Sequence, residues 1–120
     1  MLSREEILRQ SERPPTVETV AVSEWGGDVC VRAMTCKERD AFEASCQKEG
    51  KDGKRKPNLQ NLRGRLLALV VSDEKGSRLF RDDDAGMLGD LDVRGAERVL
   101  EVARRLNGLT EESVEEAEGN

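Results

Sequence analysis

The residue types that most often carry out catalysis are scarce in this chain. Its 120 residues include no His, which removes the commonest general base and the usual partner of a Ser or Cys nucleophile. The three cysteines, Cys30, Cys36 and Cys46, cannot complete a four-ligand zinc site without His. We therefore expect reduced, partly buried thiols, no catalytic residue, no metal site and no cofactor.

Carboxylates are plentiful, but their setting favours a solvated surface. A catalytic pair of carboxylates must be desolvated so that its two pKa values separate, and most of these lie in charge-rich segments. The alternating acids Asp82 and Asp84 suggest a calcium loop, which requires Gly at its sixth position and Glu at its twelfth. Met87 and Val93 occupy those positions, so a helix cap explains the acids better.

Composition indicates a single small domain with a thin core. Hydrophobic residues make up 36% and charged residues 38%, with a net charge of −5. An acidic chain repels phosphate backbones, and the basic segment 48–58 has no aromatic residue for base stacking, so we expect no nucleic-acid partner. No apolar run reaches the length of a membrane span, so no membrane partner is expected either. We expect one domain over residues 1–109 and a flexible acidic tail over 110–120, which contains five Glu and no Lys or Arg.

The elements of the N-terminal half follow from turn and capping residues. Ser3 predicts the cap of a short helix, and extended stretches around Gly26 and Gly27 predict a β-hairpin over about 16–34. Thr35 and Glu38 have the spacing of a capping box at the start of the next helix. Residues 48–58, with two Gly, a Pro and five basic side chains, are predicted to be a mobile, solvated loop.

The C-terminal half is predicted to be mainly helical. An apolar stripe indicates an amphipathic helix, formed by Leu59, Leu62, Leu66, Leu69 and Val70. Two short extended pieces follow around the turn at 73–76, then a short helix after the aspartates. A longer helix is predicted from Val93 to Leu106 and stops at Asn107-Gly108-Leu109. The fold class is thus α+β: a helix-rich small domain with an N-terminal hairpin packed on three to four helices.

Trp25 is the largest side chain and the only Trp, and it has two interpretations. As a lid it would bury its ring against helix residues such as Phe42 or Leu66 while its N–H reaches water. As an exposed residue it would be a candidate anchor for a partner. The lid is favoured, and the sequence leaves both open.

Four segments resemble motifs of one protein family, and the likeness spans nearly the whole chain. They are E-W-G-G at Glu24 to Gly27, T-x-x-E-R-D-x-F at Thr35 to Phe42, D-E-x-G-x-R-L-F at Asp73 to Phe80, and R-L-N-G-L-T-E-E at Arg105 to Glu112. In this order they resemble the tail assembly chaperones of long-tailed bacteriophages, in the short form of the family. These are scaffold motifs, so they indicate fold and family more firmly than mechanism.

The resemblance implies a non-enzymatic protein of the host cytoplasm that is absent from the mature virion. Such proteins bind the long, helical tape measure protein and help tail tube protein subunits polymerise around it, in some cases through a frameshifted longer form. Self-association is a further expectation. The candidate contacts for partners are Trp25, Leu109 and Val114.

Two other functional classes stay open at this stage. A structural virion component, such as a head–tail connector or minor tail protein, fits the same length and composition. A regulator that binds nucleic acid would require affinity that falls steeply with salt, and the acidic charge argues against it.

Overall fold

The computed structural model describes residues 1–109, which form five α-helices and five β-strands. The helices are α1 (Arg4–Arg9), α2 (Cys36–Ser45), α3 (Leu62–Val70), α4 (Ala85–Leu88) and α5 (Val93–Leu106). The strands are β1 (Val17–Val22), β2 (Gly27–Arg32), β3 (Gln47–Glu49), β4 (Arg55–Pro57) and β5 (Val71–Ser72). The predicted α+β class is confirmed. The acidic tail expected over 110–120 lies outside the described residues.

The predicted hairpin is present and gains a third strand. β1 and β2 pair antiparallel from Val17 opposite Arg32 to Val22 opposite Gly27. Gly26 closes the turn with φ of 77°, a left-handed conformation that Gly adopts without steric cost. β5 pairs antiparallel with the other edge of β2, giving the order β1-β2-β5. Two residues are too few to show a strand period, so the sequence predicted an extended piece here but not its place in the sheet.

The capping box of α2 is confirmed and continues into a buried ion pair. The Thr35 hydroxyl accepts from the Glu38 N–H at 3.2 Å, and the Glu38 carboxylate accepts from the Thr35 N–H at 2.9 Å. The same carboxylate accepts hydrogen bonds from both terminal nitrogens of Arg32, whose side chain is only 6% exposed. Arg32 also donates from Nε to the Leu69 carbonyl at 2.8 Å, so this one side chain connects β2, α2 and the end of α3.

The sequence predicted that segment 48–58 is a loop, and this prediction was wrong in part because the segment contains strand residues. β3 and β4 pair antiparallel from Gln47 opposite Pro57 to Glu49 opposite Arg55. The Gly50 and Gly53 that indicated a loop lie instead in the connection, where Gly53 has φ of 76°. Pro57 is tolerated because it ends a strand of a two-stranded sheet, where its missing N–H breaks no interior ladder. The expected exposure of this segment is confirmed, since all its residues except Gly50 and Asn58 are exposed.

Helix α3 is more deeply buried than an amphipathic stripe predicts. It begins at Leu62, after Asn61 in a left-handed conformation with φ of 50°, and Leu59 is 45% exposed. Its buried residues are Gly64, Leu66, Leu67, Ala68 and Val70. The helix therefore packs against other elements on most sides, and the predicted stripe was wrong at Leu59.

Helix α5 supplies the opposite wall of the core and ends as predicted. Its buried residues are Gly95, Ala96, Val99, Leu100 and Ala103, whereas Val93, also predicted on the stripe, is 52% exposed. The Leu109 N–H donates to the Arg104 carbonyl at 2.7 Å and the Gly108 N–H to the Arg105 carbonyl at 3.3 Å. These two bonds form a Schellman motif with Gly108 at φ of 65°.

The first thirteen residues form an arm outside the core. Every residue from 1 to 13 is exposed, although α1 has the predicted cap, in which Ser3 accepts from the Glu6 N–H at 3.2 Å. The arm presents Leu2, Ile7 and Leu8, each more than half exposed. The body begins at Pro15, whose ring lies against Gly76 in the β5 turn.

Candidate functional site

An open, mainly apolar cleft of about 950 Å³ lies on the surface of the described residues. It is lined by residues of β2, β5 and the short helix α4, and Trp25 also lines it. We call this surface the apolar cleft. Its apolar side chains are Trp25, Val29, Leu67, Val71, Leu79, Phe80, Met87, Leu88 and Leu91. A cleft of this size and lining is typical of sites that hold an apolar ligand or side chains of a partner.

The floor and the rim of the apolar cleft differ in exposure. Leu67, Val71 and Leu88 form the floor and are 1%, 4% and 8% exposed, so they also hold the fold together. Leu79, Met87 and Leu91 on the rim are exposed. Fully burying one Leu or Met side chain contributes about 1.5–3 kcal/mol. The three rim residues together thus offer a partner several kcal/mol, before the cost of association is subtracted.

Trp25 combines features of the two sequence interpretations. Its ring is half-buried and packs on the core, as the lid interpretation requires. The ring also lies against Gly95 of α5, where an added Cβ would lie only 2.9 Å from Cε2 of the indole. The same ring borders the apolar cleft. The half-buried ring thus fits the lid interpretation, and Gly95 is a contact that the sequence did not indicate.

The two other candidate contacts have different outcomes. Leu109 is 5% exposed and belongs to the core, because the Schellman motif folds it back over the last turn of α5. In this conformation it offers almost no surface to a partner. Val114 lies outside the described residues.

Carboxylates surround the apolar cleft. Asp28, Asp73, Glu74 and Asp84 line it, against one cation, Lys75. Backbone N–H groups of Ser77 and Lys75 donate to Asp73 Oδ1 and hold the pKa of this carboxyl below its usual range. The cleft therefore presents negative charge beside apolar surface.

A second group of charges lies between the hairpin turn and α5, and it is made of ion pairs. Arg98 Nε donates to both oxygens of Glu24, at 2.7 and 2.6 Å, and Ser23 donates to one of them. These bonds lower the pKa of Glu24 to about 2. Such a carboxylate stays ionised at neutral pH, so it is suited to fixing the turn against α5 and not to general acid–base chemistry.

Three further features bear on the type of site. Burial raises the pKa of the Cys46 thiol, which disfavours the thiolate that nucleophilic chemistry requires. Among residues 1–109, no group of His, Cys, Asp or Glu side chains is arranged to hold a metal ion. Within the same range, none of the helices is both long and apolar enough to span a membrane.

The rim of the apolar cleft was not predicted from the sequence. The rim residues come from three different segments, so no single periodic pattern includes them. Leu79 lies in a bend after β5, Met87 in α4 and Leu91 in the connection to α5. The available signal was Met87, a large apolar residue three positions after Asp84 and next to Gly86. In the sequence, Met87 indicates only that the acidic segment is not a calcium loop.

Comparison with known proteins assigns the family. A family model described as phage tail assembly chaperone matches residues 6–120, nearly the entire chain. No curated protein and no solved structure matches it. The four motifs that suggested this family all lie within the matched range. The chain therefore belongs to the phage tail assembly chaperone family.

Proposed function

We propose that this protein is a non-enzymatic chaperone that binds the tape measure protein during phage tail assembly. In this proposal the apolar cleft holds the apolar stripe of a tape measure helix. Bound copies keep that protein soluble in the host cytoplasm until tail tube subunits polymerise around it. The chaperone is then released and is absent from the virion.

The observation that carries the proposal is the exposed rim of the apolar cleft. Met87 is 68% exposed and Leu79 is 58% exposed, although both border a cavity with a largely apolar lining. Keeping such surface in water is unfavourable unless a partner covers it. An amphipathic helix laid in a groove buries apolar side chains at i, i+3, i+4 and i+7, and several weakly bound copies along one long helix gain strength through avidity.

Co-expression with the tape measure protein tests the proposal. We expect the wild-type chain to keep the tape measure protein in the soluble fraction and to co-purify with it in several copies. Met87→Asp places a charge on the rim and should reduce the retained tape measure protein about tenfold or more, because each lost 1.4 kcal/mol is tenfold in affinity. Ile7→Asp is the matched control, since Ile7 is similarly exposed, at 55%, but lies in the arm outside the cleft.

Two results would contradict the proposal. The first is an insoluble tape measure protein with no complex. The second is this chain at fixed copy number in purified particles by mass spectrometry, which would favour a structural virion component. Equal losses for Met87→Asp and Ile7→Asp would remove the apolar cleft from the proposal and leave the chaperone function intact.

A further inference from the structure

The charged residues that line the apolar cleft are mostly acidic, and two of the acids lie at one end of the β2–β5 pair. Asp28 precedes the β2 residue Cys30 by two positions, and Glu74 follows the β5 residue Ser72 by two positions. Cys30 and Ser72 are paired across the strands. The antiparallel register therefore brings Asp28 and Glu74 to the same end of the β2–β5 pair, where both line the cleft.

These two carboxylates are available to a partner. Asp28 and Glu74 are exposed, and neither forms a side-chain hydrogen bond or ion pair with any of residues 1–109. The other acids of the cleft are partly occupied. Asp73 accepts from backbone N–H groups of its own turn, and Asp84 accepts from the Arg81 N–H at 2.8 Å.

Carboxylates beside apolar walls favour a particular kind of side chain. Low-dielectric walls strengthen the field of charges that line a cleft. Lys and Arg can lay their aliphatic stems along apolar surface while their charged ends reach a carboxylate. The apolar cleft offers apolar surface for the stem and carboxylates for the charged end. The apolar surface comes from Leu79, Met87 and Leu91, and the carboxylates from Asp28 and Glu74.

We infer that the apolar cleft selects amphipathic helices whose apolar stripe is flanked by Lys or Arg. This inference rests on the proposed function and specifies which segments of the tape measure protein are bound. Helices flanked by Glu or Asp are bound weakly, because their like charges face the rim. The affinity of the chaperone for a helix therefore depends on the charge of the helix as well as on its hydrophobicity. The charge pattern of a long helix then determines where each copy binds.

The chain's own α1 is a poorer occupant. Ile7 and Leu8 are exposed, but the same helix carries both signs of charge, with Glu5 and Glu6 between Arg4 and Arg9. In such a helix the Arg side chains are attracted to the acidic rim and the Glu side chains are repelled by it, so the net electrostatic gain is small. Occupation of the cleft by α1 of a second copy is thus an alternative that the experiment must detect.

The experiment uses the full chain and three synthetic helical peptides with one shared apolar stripe at i, i+3, i+4 and i+7. Their flanking positions carry Lys, Gln or Glu. Binding is followed by calorimetry and by the fluorescence of Trp25, the only Trp of the chain. We expect the Lys peptide to bind about tenfold or more tightly than the Glu peptide in low salt, and the ratio to fall severalfold at about 0.5 M salt, where screening is nearly complete.

Matched charge variants locate the effect. The double variant Asp28→Asn, Glu74→Gln should reduce the Lys-to-Glu ratio to about threefold or less, since it removes the two available carboxylates. The double variant Glu5→Gln, Glu6→Gln makes the same change in net charge on α1, outside the cleft, and should leave the ratio unchanged. All four substitutions are at exposed positions, so the variants are expected to fold.

Three outcomes would overturn the inference. Equal binding of the three peptides removes the charge selection but leaves the chaperone proposal, which depends on retention of the tape measure protein. Equal effects of the two double variants would show that net charge, and not the rim, sets the preference. A concentration-dependent dimer that Met87→Asp and Ile7→Asp both abolish would identify a second copy as the occupant.

Discussion

The indole of Trp25 lies against the backbone of Gly95, so the hairpin turn and α5 meet where α5 has no side chain. Gly inside a helix costs about 1 kcal/mol relative to Ala. Close packing of the ring offsets that cost, and the contact fixes the position of a side chain that lines the apolar cleft.

Replacing Gly95 with Ala should therefore displace the indole. The added Cβ would overlap the ring, and overpacking of this kind costs about 1–3 kcal/mol. We expect a red-shifted Trp25 emission and a lower free energy of unfolding in urea. Gly86→Ala is the control, because nothing lies within 4 Å of a Cβ at Gly86. An unchanged emission spectrum in Gly95→Ala would contradict the contact.

Gly76→Ala tests the contact between the β5 turn and the start of the body. Gly76 has φ of 88°, and a Cβ there would lie 2.9 Å from Cδ of Pro15 and closer still to Cγ. Gly53→Ala is a matched control with φ of 76° and nothing within 4 Å. Both variants should lose about 1 kcal/mol from the left-handed backbone. Only Gly76→Ala should lose about a further 1–3 kcal/mol of stability, because the new Cβ would overlap the Pro15 ring. Equal losses of stability for the two variants in thermal unfolding would contradict this contact.

Glu38→Gln should destabilise the fold through Arg32. The guanidinium would stay buried without its carboxylate, and we expect a loss of about 2–3 kcal/mol in chemical denaturation. Glu43→Gln provides the comparison, since the Arg39–Glu43 pair is partly exposed and is worth under about 0.5 kcal/mol. A loss for Glu38→Gln no larger than for Glu43→Gln would show that the buried pair contributes little.

Acid should weaken the fold partly through Glu24. Its pKa is about 2 in the folded protein, against an ordinary value of 4.5. The unfolded chain therefore binds the proton more readily, so the stabilisation is complete above about pH 4.5 and is lost as the pH falls towards 2. We expect Glu24→Gln to show a shallower loss of stability over this range than wild type. Glu101→Gln, on the same helix as Arg98, should retain the wild-type slope, and a parallel slope in Glu24→Gln would contradict the assignment.

The parts of the fold that were predictable from sequence depend on neighbouring residues. The Thr35–Glu38 capping box, the turn at Gly26 and the stop at Gly108 each need only a few consecutive residues, and all three are present. The β3–β4 hairpin was missed because charge and Gly content outweighed a strand signal of three residues on each side.

The apolar cleft could not be predicted because it depends on contacts between distant residues. Asn61 donates from Nδ2 to the Ala85 carbonyl at 2.8 Å, and its side chain fills the space beside Gly64 and Gly89. This packing sets α4 on α3 and carries Met87 to the rim. Nothing local to Asn61 in the sequence indicates that it adopts a left-handed conformation and joins two helices.

The arm before Pro15 buries none of its first thirteen side chains, so the body does not depend on its sequence for stability. Substitutions there escape the selection that folding imposes on a core residue such as Leu67. Residues 1–13 are thus free to evolve at the pace of whatever they contact, while the buried residues of the body change only as fast as their packing permits.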